Sequence, residues 1–262
     1  MKIAGLQRVS LIDYPGYIAA TVFLAGCNLN CGYCYNRWMI DEANVPEALS
    51  SEELLGWLRT RVGRLDGVCI SGGEPTVHED LAQFLRTIKG LGFAVKLDTN
   101  GTQPERLFAL LDEGLLDYVA MDIKAPLDSR YHRVAGRQVD LSAIRRSMGL
   151  LRAWGQVLIH NNYGENQNLP RGLPPTDSIG GLAYEFRTTV GPLLDEGALQ
   201  EIAREIEEAE LWWLQPFVAT PDVAPSLAEA KALDEAALQA IVGRLAVTTP
   251  GARLRGEEER PL

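Results

Sequence analysis

Three cysteines stand within eight residues, Cys27-Asn28-Leu29-Asn30-Cys31-Gly32-Tyr33-Cys34, in a C-x3-C-x2-C run. Thiols bunched on a glycine-containing loop point to metal binding. Structural free cysteines are scattered along strands, and a disulfide framework needs pairs and an oxidising compartment. Structural zinc takes four ligands, usually from paired C-x2-C elements. The fourth cysteine, Cys69, lies in an expected strand and reads as a core thiol, while His78, His132 and His160 have no paired-ligand spacing. Three thiolates suit a [4Fe–4S] cluster, which normally takes four, with one iron left open for a substrate or cofactor. On these residues alone, a zinc-stabilised binding module and an electron-carrying cluster remain rivals.

Other polar residues fall at the ends of expected strands. Ser71-Gly72-Gly73-Glu74-Pro75 follows a β-rich run, where glycines let a backbone approach a ligand or simply make a turn. Leu97-Asp98-Thr99-Asn100-Gly101 and Ala120-Met121-Asp122-Ile123-Lys124 end two further strands, the position of active sites in parallel barrels. The plain alternative for Asp98, Asp122 and Lys124 is a solvated ion-pair cluster. Arg187, in Glu185-Phe186-Arg187-Thr188-Thr189-Val190, either projects toward the barrel mouth or pairs with a carboxylate as an ordinary strand arginine.

The elements that must position these groups are legible as an alternation. Strands are expected at 17–26, 67–71, 93–98, 118–122, 184–190 and 211–217. Helices are expected at 50–63, 79–90, 104–113, 141–154, 195–208 and 234–246. Ser50 or Ser51 caps the first, Pro104 opens the third, and Gly90 ends the second. Strand–helix units of this spacing predict an α/β fold, a single-domain partial (β/α)6 barrel with a C-terminal helix. Residues 156–181, rich in Asn, Pro and Gly with a strand-like start at 157–160, read as an insertion loop within that domain, and 247–262 as a C-terminal extension. Trp212 and Trp213 read as packing residues, 201–210 as a solvated helix face, and Arg133, Arg137, Arg145 and Arg146 as a local basic strip.

Of 262 residues, 46% are hydrophobic and the formal charge is −10, so a buried core is expected and a nucleic-acid-binding surface is not. The N-terminus has no secretory pattern and no apolar run is long enough to span a bilayer, which predicts a cytoplasmic protein.

Taken together, the motifs resemble the radical S-adenosylmethionine superfamily, whose cysteine loop has this spacing with an aromatic before the third cysteine, as Tyr33 stands here. The resemblance implies that Cys27, Cys31 and Cys34 hold the cluster and that S-adenosylmethionine chelates the open iron through its amino and carboxylate groups. One-electron reduction would then break the S–C5′ bond, giving methionine and a 5′-deoxyadenosyl radical. It assigns Gly72, Gly73, Glu74 and Pro75 to the surroundings of the cofactor's amino group, Asp98 to that group and Lys124 to the carboxylate, and it sets Arg187 near the cofactor. Asp98, Thr99, Asp122 and the carbonyl of Ala120 would surround a monovalent cation.

A narrower likeness rests on Ser10-Leu11-Ile12-Asp13-Tyr14-Pro15-Gly16 and on the runs around Asp98, Asp122 and Arg187. These resemble anaerobic ribonucleoside-triphosphate reductase activating proteins over nearly the whole chain except the insertion. That implies a glycyl-radical enzyme as protein partner and a flavodoxin or ferredoxin as electron donor, since no second cluster motif exists. There are departures: the insertion at 156–181, the order Gly191-Pro192, and Leu214-Gln215-Pro216-Phe217, which lacks the histidine some activases place near the ribose. A radical enzyme acting on a small molecule or peptide is therefore the competing expectation.

Overall fold

The computed structural model describes residues 1–46, 48–155, 182–206, 211–227, 229–230 and 233–256. The insertion at 156–181, its strand-like start, residues 207–210 and the last six residues of the tail lie outside the described residues.

Among the described residues, eight strands and seven α-helices follow one another: β1 (Ile3–Ser10), β2 (Ala19–Leu24), α1 (Ser51–Arg59), β3 (Gly67–Gly72), α2 (Leu81–Gly90), β4 (Ala94–Thr99), α3 (Pro104–Asp112), β5 (Tyr118–Asp122), α4 (Ser129–Ala135), α5 (Leu141–Trp154), β6 (Ala183–Val190), α6 (Glu196–Glu205), β7 (Trp212–Pro216), α7 (Glu235–Leu245) and β8 (Ala252–Leu254). The strands pair in sequence order in one sheet, with β1 antiparallel to β2 and every later pair parallel. The six expected strands are thus β2–β7, and the fold is the expected partial barrel, with β1 and β8 as its edge strands.

Local signals set the helix ends. The Ser50 hydroxyl accepts from the amide of Glu53 while the Glu53 carboxylate accepts from the amide of Ser50, a complete capping box on α1. Asp140, Asp195 and Asp234 cap α5, α6 and α7. Three elements were not legible beforehand. In β1, polar Gln7 and Arg8 break the hydrophobic alternation at the sheet edge. Helix α4 has seven residues, too few to show a period, and β8 has three, inside the stretch expected to be only a C-terminal extension.

Alternation along the strands divides the side chains into two sets. One set, including Val68, Ile70, Val95, Leu97, Val119, Met121, Tyr184 and Phe186, packs in the main core with the helices. The other set faces the barrel interior. At the base, Tyr14, Ala19, Tyr118, Ala120 and Ala183 form a small apolar plug, with the Tyr14 ring 4.4 Å from Tyr17 and 5.8 Å from Tyr118. Above it the interior turns polar. Cys69 pairs in register with Lys96, and Asp122 with Arg187, so these side chains lie next to one another across the sheet.

Candidate active site

The cysteine loop leaves β2 and is pinned from four directions. The amides of Gly26 and Cys27 donate to the carbonyls of Met39 and Ile40 at 2.7 and 3.1 Å. The amide of Asn30 donates to Ala135 at the end of α4 (2.8 Å), and the carbonyl of Gly32 accepts from Ala224 (2.7 Å). The Asn28 side chain donates to Thr102 at 2.7 Å and accepts from Asn100 at 2.9 Å, which ties the loop to the end of β4. His78, without a ligand role, bonds the carbonyl of Ala25 at 2.8 Å through Nε2.

The loop after β3 lies directly on this one. The amides of Gly73 and Glu74 donate to the carbonyls of Leu24 and Gly26, both at 2.8 Å. A Cβ at Gly73 would stand 2.0 Å from the Gly26 carbonyl oxygen, and one at Gly72, where φ is +111°, 2.4 Å from the Leu24 nitrogen. The close approach that requires glycine here is to the chain's own cysteine loop. Glu74 is buried and holds the next loop in turn. Its carboxylate accepts from the Thr76 amide and hydroxyl, from the Thr99 hydroxyl at 2.7 Å and from the Asn100 amide at 2.6 Å. Burial raises its pKa, and these donors oppose the rise.

These loops and the ends of β3–β7 enclose a cavity of about 240 Å³. Cys27, Cys31, Tyr33, Cys34, Gly72, Gly73, Glu74, Asp98, Asp122, Lys124 and Arg187 all line it. Pro75 does not; it is buried and opens the short 3-10 turn Pro75–Val77. Ser71, Thr99, Asn100, Thr189 and Gln215 line the cavity as well, and Gln215 falls in the segment without a histidine.

A chain of alternating charges crosses the cavity floor. Lys96 pairs with Asp98, Asp98 with Arg187 (3.3 Å), Arg187 with Asp122 (3.0 Å), and Asp122 with Lys124 (3.3 Å). Burial alone would raise both carboxyls. Arg187 and Lys96 instead hold Asp98 far below the carboxylate range, and Arg187 and Lys124 hold Asp122 below it. Burial would lower the Lys124 ammonium, yet Asp122 raises it well above its ordinary value, so it stays charged. Arg187 is therefore both an ion-pairing strand arginine and a cavity residue.

Lys96 was missed in the sequence, although it stands two residues before Asp98 on the same strand face. Period-2 counting back from the aspartate would have found it. Cys69 is the expected core thiol, pushed up to about 12 by burial, with its sulfur 3.8 Å from the Lys96 ammonium. Trp212 is fully buried and donates to Thr188 at 2.9 Å, a packing role as expected. The basic strip is partly neutralised, with Arg145 on Glu205 and Arg146 on Glu105.

The residues fit an iron–sulfur cluster by their chemistry. All three thiols are free, come from one loop and face one cavity. Burial pushes Cys27 up to about 12 and raises Cys31 and Cys34, so metal binding would displace their protons. Among the described residues no three His, Cys, Asp or Glu side chains converge on a single metal ion. A four-iron cluster does not ask for that, because each thiolate binds a different iron.

The chain as a whole is similar to known proteins. The model of the radical SAM superfamily matches residues 21–164. A Methanocaldococcus jannaschii protein, provisionally named a glycyl-radical enzyme activating enzyme, is 31% identical over 218 residues, covering 82% of this chain and 79% of its own. The pyruvate formate-lyase-activating enzyme of Clostridium pasteurianum is 33% identical over 141 residues, 52% of this chain and 58% of that enzyme. Among solved structures, Streptococcus suis SuiB bound to S-adenosylmethionine superposes with a TM-score of 0.62 at 12% identity, over 90% of this chain and 52% of SuiB, a likeness of fold. The family match over more than half the chain and the archaeal relative over most of it make this chain a member of the radical SAM superfamily.

Proposed function

We propose that this chain is a glycyl-radical-enzyme activase: a radical SAM enzyme that takes a hydrogen from the Cα of a glycine in a partner enzyme such as anaerobic ribonucleotide reductase. The observation that carries the reading is likeness to a protein named as an activating enzyme along 82% of the chain. Cys27, Cys31 and Cys34 would hold the [4Fe–4S] cluster, which with S-adenosylmethionine supplies reductive cleavage to methionine and a 5′-deoxyadenosyl radical.

The chain's own groups bind and orient. Lys124, kept charged beside Asp122, offers an ammonium to the cofactor's carboxylate. Asp98, kept ionised by Arg187 and Lys96, offers the remaining acceptor position of Oδ2, which takes one bond from Ser71, to its amino group, with the Gly72–Gly73 backbone beside it. Tyr33, the buried aromatic of the cysteine loop, lines the cavity beside the cofactor and helps exclude water. The electron comes from a flavodoxin or ferredoxin. We further take 1–262 as one domain, with 156–181 inserted in it and 247–262 extending it, working in the cytoplasm. Among the described residues, no helix is long and apolar enough to cross a membrane.

Anaerobic reconstitution with iron and sulfide, then dithionite and S-adenosylmethionine, is expected to yield 5′-deoxyadenosine and methionine. Cys31→Ala is expected to yield neither and to lose the cluster's visible absorption. Adding a glycyl-radical partner is expected to give a doublet radical signal by electron paramagnetic resonance. A modified small molecule or peptide in place of that signal would overturn the activase role and leave the radical SAM chemistry standing.

A further inference from the structure

The oxygen atoms that the superfamily resemblance assigns to a monovalent cation are already engaged. Asp98 Oδ1 accepts from Lys96 Nζ and faces Arg187 Nη1 at 3.3 Å, and Oδ2 accepts from Ser71 Oγ at 2.9 Å. Asp122 Oδ1 accepts from Arg187 Nε at 3.0 Å, and Oδ2 from Lys124 Nζ at 3.3 Å. The Thr99 hydroxyl donates to Glu74 at 2.7 Å and accepts from the Gly101 amide at 3.1 Å. Ala120 is fully buried in a strand paired on both sides, so its carbonyl belongs to the sheet ladder.

Two half-buried carboxylates sharing one arginine need compensating positive charge. Here the protein supplies it. The planar guanidinium of Arg187 reaches both carboxylates with separate N–H groups, a bridge that a point charge could make only from between them. Lys96, itself only 2% exposed, adds a second cation at the same Asp98 oxygen, Oδ1. Glu185, one position below on the same face of β6, bonds the Tyr118 hydroxyl at 2.7 Å. With Glu185 counted, the cations Lys96, Arg187 and Lys124 face the carboxylates Asp98, Asp122 and Glu185. Within this group the charges balance with no metal ion, and Glu74 in the cavity wall is held apart from it by neutral donors on Thr76, Thr99 and Asn100.

We propose that in this chain Arg187 and Lys96 stand in place of the monovalent cation, so that S-adenosylmethionine binds without any alkali metal ion. Lys96 is then a positioning residue: it acts through Asp98 and does not touch the cofactor. The inference rests on the reading that this cavity takes S-adenosylmethionine.

The test is equilibrium binding of S-adenosylmethionine to the anaerobically reconstituted full chain in sodium, potassium and tetramethylammonium chloride at equal ionic strength. Affinities within about twofold across the three salts are expected, because no contact worth the ~1.4 kcal/mol of a tenfold change depends on the ion. Binding about tenfold weaker in tetramethylammonium than in an alkali salt would overturn the proposal. Absence of binding in all three would remove the cofactor assignment itself, and the proposal with it. The second arm is Lys96→Met, checked for cluster content and melting temperature. In tetramethylammonium it is expected to bind about tenfold more weakly than the native chain, and sodium or potassium is expected to restore part of the loss by entering beside the freed Asp98 Oδ1. Lys96→Arg, which keeps the charge, is expected to stay insensitive to the salt. A Lys96→Met protein that binds normally in tetramethylammonium would also overturn the proposal.

Discussion

Glu74 sits in the cavity wall, yet its hydrogen bonds turn it away from any ligand and into the protein. Four donors on Thr76, Thr99 and Asn100 converge on one buried carboxylate, so the residue joins the turn after β3 to the end of β4. The resemblance assigned it to the surroundings of the cofactor's amino group, and the geometry gives it the task of keeping two cavity walls in place. Glu74→Gln keeps the size of the side chain but sets an N–H₂ against a donor. It is expected to cost about 1–3 kcal/mol of stability, measured by urea unfolding of the cluster-free protein. If Glu74 only contacted a ligand, the midpoint would not move without that ligand.

At the scale of elements, the cavity is made where three loops lie on one another. The cysteine loop rests on the glycine turn after β3 and on the C-terminus of α4, where Gly136 takes a left-handed conformation with φ +66°. A Cβ at Gly136 would come 2.1 Å from the Asn30 carbonyl oxygen, and one at Gly73 would come 2.0 Å from that of Gly26. Neither contact can be relieved by turning a side chain, because backbone stands on both sides. Gly73→Ala is expected to cost about 3 kcal/mol and to lower the iron retained after reconstitution, because it pushes the turn off the loop that carries Cys27. The measurements are the unfolding midpoint and the iron-to-protein ratio. A destabilised protein with full iron would show that the turn supports the fold but not the loop. At the sheet's edge, β8 covers Trp212 and Leu214 through the pairs Trp212–Ala252 and Leu214–Leu254. Leu254→Ala is expected to cost about 2–4 kcal/mol with no loss of iron, which separates core packing from loop support.

For the whole molecule, the half-buried ion chain makes stability depend on pH. The folded-state pKa values of Asp98 and Asp122 are depressed, so the stabilisation they give is complete above the unfolded value of about 4. It is lost as pH falls from there toward the lower folded values. Glu74 has a raised folded pKa and works in the opposite sense, so the comparison must be made against a variant that retains it. Between neutral pH and pH about 3, Asp98→Asn is expected to lose less stability than the native chain, read from denaturant midpoints of the cluster-free protein. Parallel pH curves for the two proteins would mean that Asp98 is not held ionised by its neighbours.

The amino-acid sequence by itself determined the cysteine loop, the order of strands β2–β7 along the chain, the helices between them and the presence of polar groups at the strand ends. Each of these is carried by neighbours in sequence: a fixed cysteine spacing, a hydrophobic period, a cap, a glycine or proline at a boundary. The Ser50–Glu53 box and the opening of α3 at Pro104 needed nothing more distant. What only the tertiary structure decided is which of those polar groups meet. Lys96 became part of the site because closing the sheet set β4 beside β5 and turned one face of each strand inward, and Arg187 came to bridge carboxylates 89 and 65 positions earlier in the chain. The glycines after β3 read either as room for a ligand or as a simple turn, and the backbone that they approach is the chain's own cysteine loop. Edge strands β1 and β8 and the short α4 stayed hidden, because their stability comes from what they pack on and not from their own residues.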